Sequence, residues 1–439
     1  MKKTAAYSLL LLGFVIFMTG CSLFRKAGKG ISESLPPPRE KKPVPQEKPH
    51  KNPVARAPFN VPAFAREVRK PLYRVALFSP LYLDRVTADS GFAGGKAVPR
   101  YALPGLEFYE GALIAMDSLR QRGLNLQLHL YDTKSLRPSM QQVLQGQLDS
   151  TDLIIGSVNA DEFQRLAGFA LKREINFISA TYPNDGAITE NPFLTIINST
   201  LRTHCYAIQD FAQQKFSNQQ ILVLHRNTAQ EKQNMSYIRD AWQQMKFGRK
   251  VPVKSMDWDD STSTGQLAAM LSAEKNNVVI VTALYVDEAE TILQKLAELT
   301  GKYTINVIGM PTLAAQRELL KPVYKGLSIY YSTPYADIRN DALSRDFMLR
   351  FFEQYHARPS DMAFKGFETF LYFGSRLQED GLYFNPEMNG NAGRFATEYN
   401  FQPVYREKEA ASDEQVPDYF ENKHLYFIRI RDGVISRAN

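Results

Sequence analysis

Short apolar runs alternate with stretches whose apolar residues have helical spacing, starting near residue 72. The first series places strands and helices, in chain order, at residues 73–78 (strand), 106–121 (helix), 126–131 (strand), 152–156 (strand), 160–172 (helix) and 176–179 (strand). Period-2 and buried-type runs separated by 3.6-period stretches are typical of βαβ units. The pattern therefore predicts a parallel sheet with helices packed against it.

A second series of the same kind begins near residue 197. It places further helices and strands at residues 201–214 (helix), 220–224 (strand), 230–245 (helix), 251–256 (strand), 264–274 (helix), 278–282 (strand), 287–298 (helix) and 304–308 (strand). Two successive series indicate an α/β protein with two doubly wound, Rossmann-like lobes. Residues 79–104 form a predicted loop that is long for such a unit, and loops of this length are often functional.

The C-terminal part predicts two more strands, at residues 401–405 and 425–431, with a charged loop between them. Asp432-Gly433 supplies a turn after the second strand. We expect the two strands to pair and to brace the second lobe. Residues 330–335 contain three tyrosines and are expected at a crossing between the lobes, where the rings either face a cleft or cover a hinge.

The first twenty residues have the pattern of a bacterial export signal. Lys2 and Lys3 precede an apolar stretch of about 14 residues, shorter than the roughly 20 that a membrane-spanning helix needs. Residues 18–21 read Met-Thr-Gly-Cys, which resembles the bacterial lipobox. This resemblance implies that Cys21 is lipidated, becomes the mature N-terminus and anchors the chain in a lipid bilayer. The alternative is an ordinary secretion signal followed by a chance cysteine.

Residues 21–70 predict a basic, proline-rich and disordered tether. The segment holds 12 Lys and Arg residues against four Glu, a net charge of +8, and ten prolines lie between Pro36 and Pro71. Prolines exclude helix, and the few large apolar groups cannot offset the entropy of ordering. The charge either meets anionic lipid headgroups or cell-wall polymer, or it belongs to a solvated spacer. Ser22 after the cysteine, in place of aspartate, indicates the outer membrane, with the protein facing the periplasm.

The location of charge removes the nucleic-acid hypothesis that a pI near 9.1 invites. The 439 residues carry a net charge of +7, but the signal contributes +2 and the tether +8, so residues 71–439 carry −3. A faintly acidic domain lacks the basic surface that binds phosphates. Two cysteines exclude a disulfide framework, and the six histidines show no metal-ligand spacing. We therefore expect no cofactor, no metal and no nucleic-acid partner.

Motifs spread along the chain resemble the type 1 periplasmic binding proteins, the leucine/isoleucine/valine-binding class. The likeness is carried by residues 108–117, 131–133, 154–157, 166–167, 175–181, 307–311 and 363–369. These motifs are short, and the resemblance lies in their order and spacing from about residue 72 to 435. Solute receptors of ABC importers share this likeness, as does an outer-membrane lipoprotein that activates penicillin-binding proteins.

The resemblance implies two lobes joined by three crossings, with a ligand held in the cleft at the carboxyl ends of the strands. Hinge closure would bury that ligand. The domain would span residues 72–436. By resemblance, lobe 1 would comprise about 72–198 and 329–385, and lobe 2 about 199–328 and 386–436.

Six candidate ligand-binding residues follow from the resemblance: Ser157, Asn159, Ser179, Ala180, Thr181 and Tyr285. The first five follow the third and fourth strands, where the family binds a carboxylate and an ammonium through hydroxyl, amide and backbone groups. The last falls where the family has an aromatic residue of the second lobe. Helix capping is the alternative for the serines and the asparagine, and a lobe-surface aromatic is the alternative for the tyrosine.

Two departures from the family make a free α-amino acid a doubtful ligand. The family has Gly-Pro after the third strand, whereas this chain has Gly156-Ser157. The family places an acid after the strand that ends at Gly309, where it binds the ammonium, whereas Met310, Pro311 and Thr312 occupy that loop here. Asp185, Asp287 or Glu288 could take the place of that acid. A differently charged ligand, or none, is the further alternative.

The sequence favours two functions. Neither is enzymatic, because no catalytic motif with the required spacing is present. The nearest phosphate-loop pattern, residues 91–97, has one residue too few before Gly-Lys and lacks the metal-binding hydroxyl. The first function is binding of a small polar solute for a permease or sensor. The second is a non-transport interaction module at the outer membrane that regulates a cell-wall synthase or another envelope complex.

Overall fold

A computed structural model describes residues 61–90, 98–217, 219–245, 250–336, 339–389, 397–406 and 416–438. These residues belong to one compact unit, Arg56–Asn439. The predicted signal peptide, Cys21, residues 21–60 of the predicted tether and residues 91–97 lie outside the described residues.

Fourteen strands are formed by the described residues. They are β1 (Tyr73–Ser79), β2 (Leu126–Asp132), β3 (Leu153–Gly156), β4 (Asn176–Ser179), β5 (Leu194–Ile196), β6 (Gln220–His225), β7 (Val253–Asp257), β8 (Asn277–Val281), β9 (Ile305–Gly309), β10 (Ser328–Thr333), β11 (Phe401–Val404), β12 (Tyr419–Asn422), β13 (Tyr426–Arg431) and β14 (Val434–Arg437). Several central strands, such as β3 and β8, are buried along their whole length. Burial of this kind is expected for parallel strands covered by helices on both faces.

The α-helices of the described residues are α1 (Leu83–Ser90), α2 (Leu103–Gln121), α3 (Met140–Gly146), α4 (Ala160–Arg173), α5 (Leu201–Lys215), α6 (Ala229–Gln244), α7 (Thr264–Ala269), α8 (Val286–Ala297), α9 (Ala342–Tyr355) and α10 (Asp361–Asp380). Short 3-10 helices cover Pro62–Ala65, Pro311–Ala315, Arg317–Leu320, Pro322–Tyr324 and Asn385–Glu387. Side-chain caps set several of the starts. Ser139 and Ser263, for example, form capping boxes at α3 and α7.

Two seven-stranded sheets form the centres of the two lobes within the described part of the chain. Lobe 1 has the strand order β11-β12-β5-β4-β3-β1-β2, and lobe 2 has the order β14-β13-β10-β9-β8-β6-β7. The pairings are parallel except for β11 with β12, β10 with β13 and β13 with β14. The predicted α/β class with two doubly wound lobes is confirmed.

The described chain passes between the two sheets three times, and two of the predicted lobe boundaries need correction. The passages lie between β5 and β6, between β10 and β11, and between β12 and β13. β10 pairs with β9 and therefore belongs to lobe 2, although it was assigned to lobe 1. β11 and β12 join lobe 1 through pairing with β5, although residues from 386 onward were assigned to lobe 2.

The expected pairing of the two C-terminal strands is wrong. β11 pairs with β12 in lobe 1, whereas β13 pairs with β10 and β14 in lobe 2. Alternation of apolar and polar residues identifies a strand, but it carries no information about which neighbour the strand takes. The short strand β12, which separates the two, was not predicted.

Two element boundaries also differ from the prediction. The expected loop at residues 79–104 contains α1; the Asp132 carboxylate from β2 accepts hydrogen bonds from the first N–H group of this helix, at Leu83, and from Leu81 just before it. The helix expected at residues 264–274 ends at Ala269, so it is a turn and a half rather than three turns. The start of α1 is capped by a residue that is distant in the chain, and the local spacing of apolar residues cannot reveal such a cap.

Residues 61–70, which the sequence placed in the disordered tether, pack against lobe 1, and we name them the N-terminal strap. Phe64 packs edge-on against Phe193, with ring centroids 5.7 Å apart. The Lys70 ammonium lies 2.5 Å from the buried Asp152 carboxylate, at the amino end of β3. Residues 61–70 are therefore part of lobe 1 rather than of the predicted tether, because they exchange solvent for an apolar and ion-paired surface.

The core of lobe 1 is centred on α2 and α10, which approach each other closely enough for backbone contact. A Cβ added at Gly111 would overlap the carbonyl group of Ala363, and one added at Gly366 would overlap that of Phe108. Both positions therefore require glycine for space. Large aromatic side chains of α10, including Phe367, fill the surrounding core.

None of the described helices combines the length and the apolar character needed to cross a bilayer.

The close approach of α2 and α10 leads to the first prediction. Gly366→Ala forces two backbones apart and should lower the free energy of unfolding by at least about 1–3 kcal/mol, the usual cost of overpacking. Gly168→Ala in α4 is the matched control, because a Cβ there meets nothing within 4 Å. It should raise the free energy of unfolding by about 0.5–1 kcal/mol. Urea unfolding of both variants measures the difference, and equal effects would contradict the packing argument.

Candidate functional site

The carboxyl ends of β3 and β4 lie side by side because the two strands are parallel neighbours. Ser157 and Thr181 follow these ends, and their hydroxyl oxygens are 3.3 Å apart, so either can donate to the other. Backbone bonds extend the sheet into this region, since the Ser157 amide donates to Phe78 and the Ala180 amide donates to Gly156, each at 2.9 Å. The structure thus brings two predicted hydroxyl groups together on a rigid edge.

Asn159 caps α4, which is the alternative that the sequence left open for it. Its side-chain oxygen accepts a hydrogen bond from the Glu162 amide at 3.0 Å, and the Glu162 carboxylate accepts one from the Asn159 amide at 2.8 Å. Lys134 pairs with the same carboxylate at 2.7 Å. The amide oxygen of Asn159 is therefore engaged within its own helix.

Ser179 and Ala180 are fully buried at the end of β4. The Ser179 hydroxyl has no hydrogen-bond partner among the described residues. The Ala180 carbonyl accepts a short hydrogen bond from the Tyr335 hydroxyl. The backbone acceptor that the resemblance assigned to a ligand is thus occupied by a side chain of this chain.

Tyr285 lies on lobe 2, at the start of α8 and after the carboxyl end of β8. It is 71% exposed, which agrees with the alternative of a lobe-surface aromatic. Met310, in the loop where the family has an acid, is completely buried in the core of lobe 2. The structure therefore clusters Ser157, Ser179, Ala180 and Thr181 on lobe 1, and places Tyr285 on the other lobe.

Tyr335 is one of the three tyrosines of residues 330–335 for which the sequence left both cleft and hinge open. It lies just after β10, at the second passage between the sheets, and it is buried. Burial raises the pKa of its phenol well above the usual range, so the hydroxyl stays neutral and donates to Ala180. The Lys365 ammonium of α10 lies 4.3 Å from the centre of its ring, within the range of a cation–π contact.

A buried carboxyl group, Glu368, ties this passage to α10. Glu368 is 3% exposed, and its carboxylate accepts a hydrogen bond from the Thr397 hydroxyl at 2.6 Å. The same hydroxyl accepts one from the Ala336 amide at 3.1 Å, next to Tyr335 in the chain. Burial raises the pKa of Glu368 to about 7. We name Tyr335, Ala336, Lys365, Glu368 and Thr397 the crossing cluster.

Sequence reasoning did not select Lys365 or Glu368, although the motif at residues 363–369 contains both. They are three positions apart on α10, so they share one face of that helix. Nothing local to the sequence shows that this face meets the second passage. A pair of opposite charges at this spacing within the largely apolar stretch 362–373 of α10 was the available signal.

Two other side chains of reactive types, His204 and Cys205, are buried within the described part of the chain. Burial lowers the pKa of His204 to about 3, and its Nδ1 lies 2.8 Å from the Ser332 hydroxyl. Burial raises the pKa of the Cys205 thiol to about 12, so it stays protonated. Among the described residues, no three or more His, Cys, Asp or Glu side chains form a group that could hold a metal ion.

A cavity of about 200 Å³ lies at the amino end of the lobe 1 sheet, opposite the predicted site. Its lining residues are Lys70, Leu148, Asp149, Thr151, Asp152, Arg173, Glu174, Ile175, Leu382 and Tyr383. Its charged groups pair within the domain, as Arg173 does with Asp149 at 2.8 Å. Because these charges are paired internally, we interpret the cavity as part of the lobe 1 surface on which the N-terminal strap packs.

Several solved structures match this fold. A putative branched-chain amino acid ABC transporter from Rhodospirillum rubrum aligns over 84% of this chain and 100% of its own, with 13% identity and a TM-score of 0.59. A branched-chain amino acid ABC transporter periplasmic ligand-binding protein from Burkholderia xenovorans aligns over 84% and 94%, with 12% identity and a TM-score of 0.54. A substrate-binding protein from Desulfitobacterium hafniense in complex with leucine aligns over 84% and 99%, with 11% identity and a TM-score of 0.51.

No protein-family model matches the chain, and no curated protein matches it either. The likeness to these solved structures covers 84% of the chain, and it therefore establishes the fold. The identities are low, so the likeness shows the fold alone. The chain has the type 1 periplasmic-binding fold of ABC transporter substrate-binding proteins, as its motifs predicted.

The second prediction concerns Glu368. Its pKa is about 7 in the folded protein and near 4.5 when exposed, so the folded state binds the extra proton between these values. The stabilisation is present below about pH 4.5 and is lost as the pH rises through 7. From pH 5 to pH 8 the wild type should lose on the order of 1–3 kcal/mol more unfolding free energy than Glu368→Gln, which stays neutral.

Urea unfolding of both proteins at pH 5 and pH 8 tests this expectation. The comparison uses the difference between the two proteins, because burial also raises the pKa of Glu110 to about 7 and this contribution cancels. Parallel pH curves for wild type and Glu368→Gln would show that Glu368 does not titrate in this window.

Proposed function

We propose that this chain is a lipid-anchored solute-binding protein of the bacterial envelope, held at the outer membrane and facing the periplasm. It binds a small polar solute at the carboxyl edge of lobe 1 and presents it to a membrane permease or sensor. The observation that carries this proposal is the hydroxyl pair Ser157–Thr181 at the ends of two neighbouring parallel strands. Strand ends of this kind are where open α/β sheets bind ligands.

The fold supports the same proposal. Two doubly wound sheets connected by three passages are built to close on a ligand by rotation about the passages. The leucine complex of the matched protein from Desulfitobacterium hafniense is an example of this fold holding a small molecule. The buried, neutral state of His204 and Cys205 supports binding without catalysis.

The second candidate is an interaction module without a solute, acting on a cell-wall synthase or another envelope complex. One specific observation favours it. The Tyr335 hydroxyl occupies the Ala180 carbonyl, which removes one backbone acceptor from the candidate site. The exposed ring of Tyr285 on lobe 2 would then serve a protein contact.

The anchor gives the third prediction. Metabolic labelling with an alkyne fatty acid should label the wild-type chain and recover it with membranes, and Cys21→Ser should abolish both results. The sequence has two cysteines, so Cys205→Ser is the matched control and should keep the label. A Cys21→Ser chain that is still labelled would contradict lipidation at this residue.

The site gives the fourth prediction. We expect a thermal-shift panel of amino acids, short peptides and muropeptides to contain a solute that raises the melting temperature, because a ligand of the folded state must stabilise it. The double variant Ser157→Ala, Thr181→Val should bind that solute roughly tenfold more weakly, because one or two neutral hydrogen bonds are lost. Titration calorimetry measures the affinity.

Ser150→Ala, on an exposed turn of the same lobe, is the control and should bind normally. A panel in which nothing shifts the melting temperature would contradict solute binding and leave the interaction module as the better proposal. Equal affinity of the double variant and the wild type would place the solute elsewhere.

A further inference from the structure

Lys365 is a partly buried cation whose charge is balanced by an acid, Asp361, that also pairs with Arg339. Its ammonium lies over the ring of Tyr335, 4.3 Å from the ring centre. The neighbouring Glu368 carboxylate is bound by Thr397, so it is not free to pair with Lys365. Desolvation by burial lowers the pKa of Lys365, while the charge of Asp361 acts in the opposite direction. Because the Asp361 side chain is 81% exposed, it compensates the ammonium only in part, and an anion beside the ammonium would stabilise it further.

A second cation, Arg339, lies close to the first. Its guanidinium stacks 3.9 Å from the ring centre of Phe364, and one nitrogen pairs with Asp361 at 2.7 Å. Its Nε is buried and has no hydrogen-bond partner among the described residues. Its charge contributes to the lowered pKa of Lys365, which shows that the two cations share one region. One acid therefore serves two cations here.

Lys365 is linked to the hydroxyl pair at the end of the sheet through Tyr335. The ring beneath Lys365 belongs to Tyr335, whose hydroxyl bonds the Ala180 carbonyl. Thr181 is the next residue, and its hydroxyl lies 3.3 Å from that of Ser157. Hydroxyl donors and ammonium groups are the groups that bind carboxylates and phosphates.

On lobe 2, the loop after β9 lacks an acidic side chain. Met310, buried in the loop after β9, presents no carboxylate for a ligand ammonium. A zwitterionic amino acid would thus find no acid in this loop for its ammonium group. The loop therefore favours a ligand that carries no ammonium group.

We propose that the solute of this protein is a small oxyanion, a carboxylate or phosphate ester, and that Lys365 supplies its counter-charge while Ser157 and Thr181 donate hydrogen bonds to it. This inference rests on the proposed solute-binding function and adds the chemical class of the ligand. Arg339 adds positive potential, and Tyr335 supplies the surface on which the ammonium lies.

The test compares anionic probes with neutral relatives of similar structure. The full chain, purified in mild detergent, is titrated with N-acetylmuramic acid against N-acetylglucosamine, succinate against succinamide, and inorganic phosphate. We expect at least one anion to bind, at least tenfold more tightly than its neutral partner where it has one. The sugar pair, the dicarboxylate and the phosphate distinguish cell-wall, metabolite and phosphate sources of the same chemistry.

Variants then assign the charge to Lys365. Lys365→Met should lower the affinity for the anion at least tenfold. The affinity of Lys365→Arg should stay within about threefold of that of the wild type. Lys232→Met, an exposed lysine of α6, is the matched control and should not change binding. The affinity of the wild type should fall as NaCl rises, and that of Lys365→Met should fall less.

Separate outcomes identify which proposal fails. Equal binding of charged and neutral probes, or unchanged anion binding by a folded Lys365→Met, overturns the anion assignment and leaves solute binding intact. Failure of every probe, together with a panel of solutes that shifts no melting temperature, overturns both. A higher melting temperature of Lys365→Met without weaker binding would show that this lysine only packs against Tyr335.

Discussion

Two helices that are distant in the chain, α2 and α10, touch backbone to backbone in lobe 1. Gly111 and Gly366 make this contact possible, since any side chain there would collide with a carbonyl group of the other helix. α10 belongs to the segment that returns to lobe 1 after the chain has built the main part of lobe 2. The contact therefore determines where the returning segment sits, and with it the positions of Lys365, Glu368 and the second passage.

The crossing cluster shows what this placement does to polar groups. Tyr335, Glu368 and Thr397 come from three separate segments and are held together in a largely dry environment. In such an environment each hydrogen bond is stronger, and each unpaired group is more costly, than in water. The same surroundings that raise the pKa of Glu368 also lower that of Lys365, because burial disfavours the charged form of both. Charge at this passage is thus sensitive to any ligand that enters.

The parallel core of each lobe was predictable because its signals are local. The buried run at β3, the capping asparagine of α4 and the alternation of strands and helices all lie within short windows. Partners in the sheet were not predictable for β11, β12 and β13, because pairing joins residues far apart in the chain. The hydroxyl pair followed from strand ends, whereas Lys365 acquires its role only through packing against Tyr335.

The N-terminal strap also has a mechanical meaning. Lys70 binds Asp152 at the amino end of β3, while Ser157 follows the carboxyl end of the same strand. Tension arriving along the chain from its N-terminal side would therefore enter lobe 1 at the edge remote from the hydroxyl pair. The aromatic contact of Phe64 with Phe193 would bear part of that load within the same lobe. The described contacts of the strap are with lobe 1, so such a pull would not act directly on the passages between the lobes.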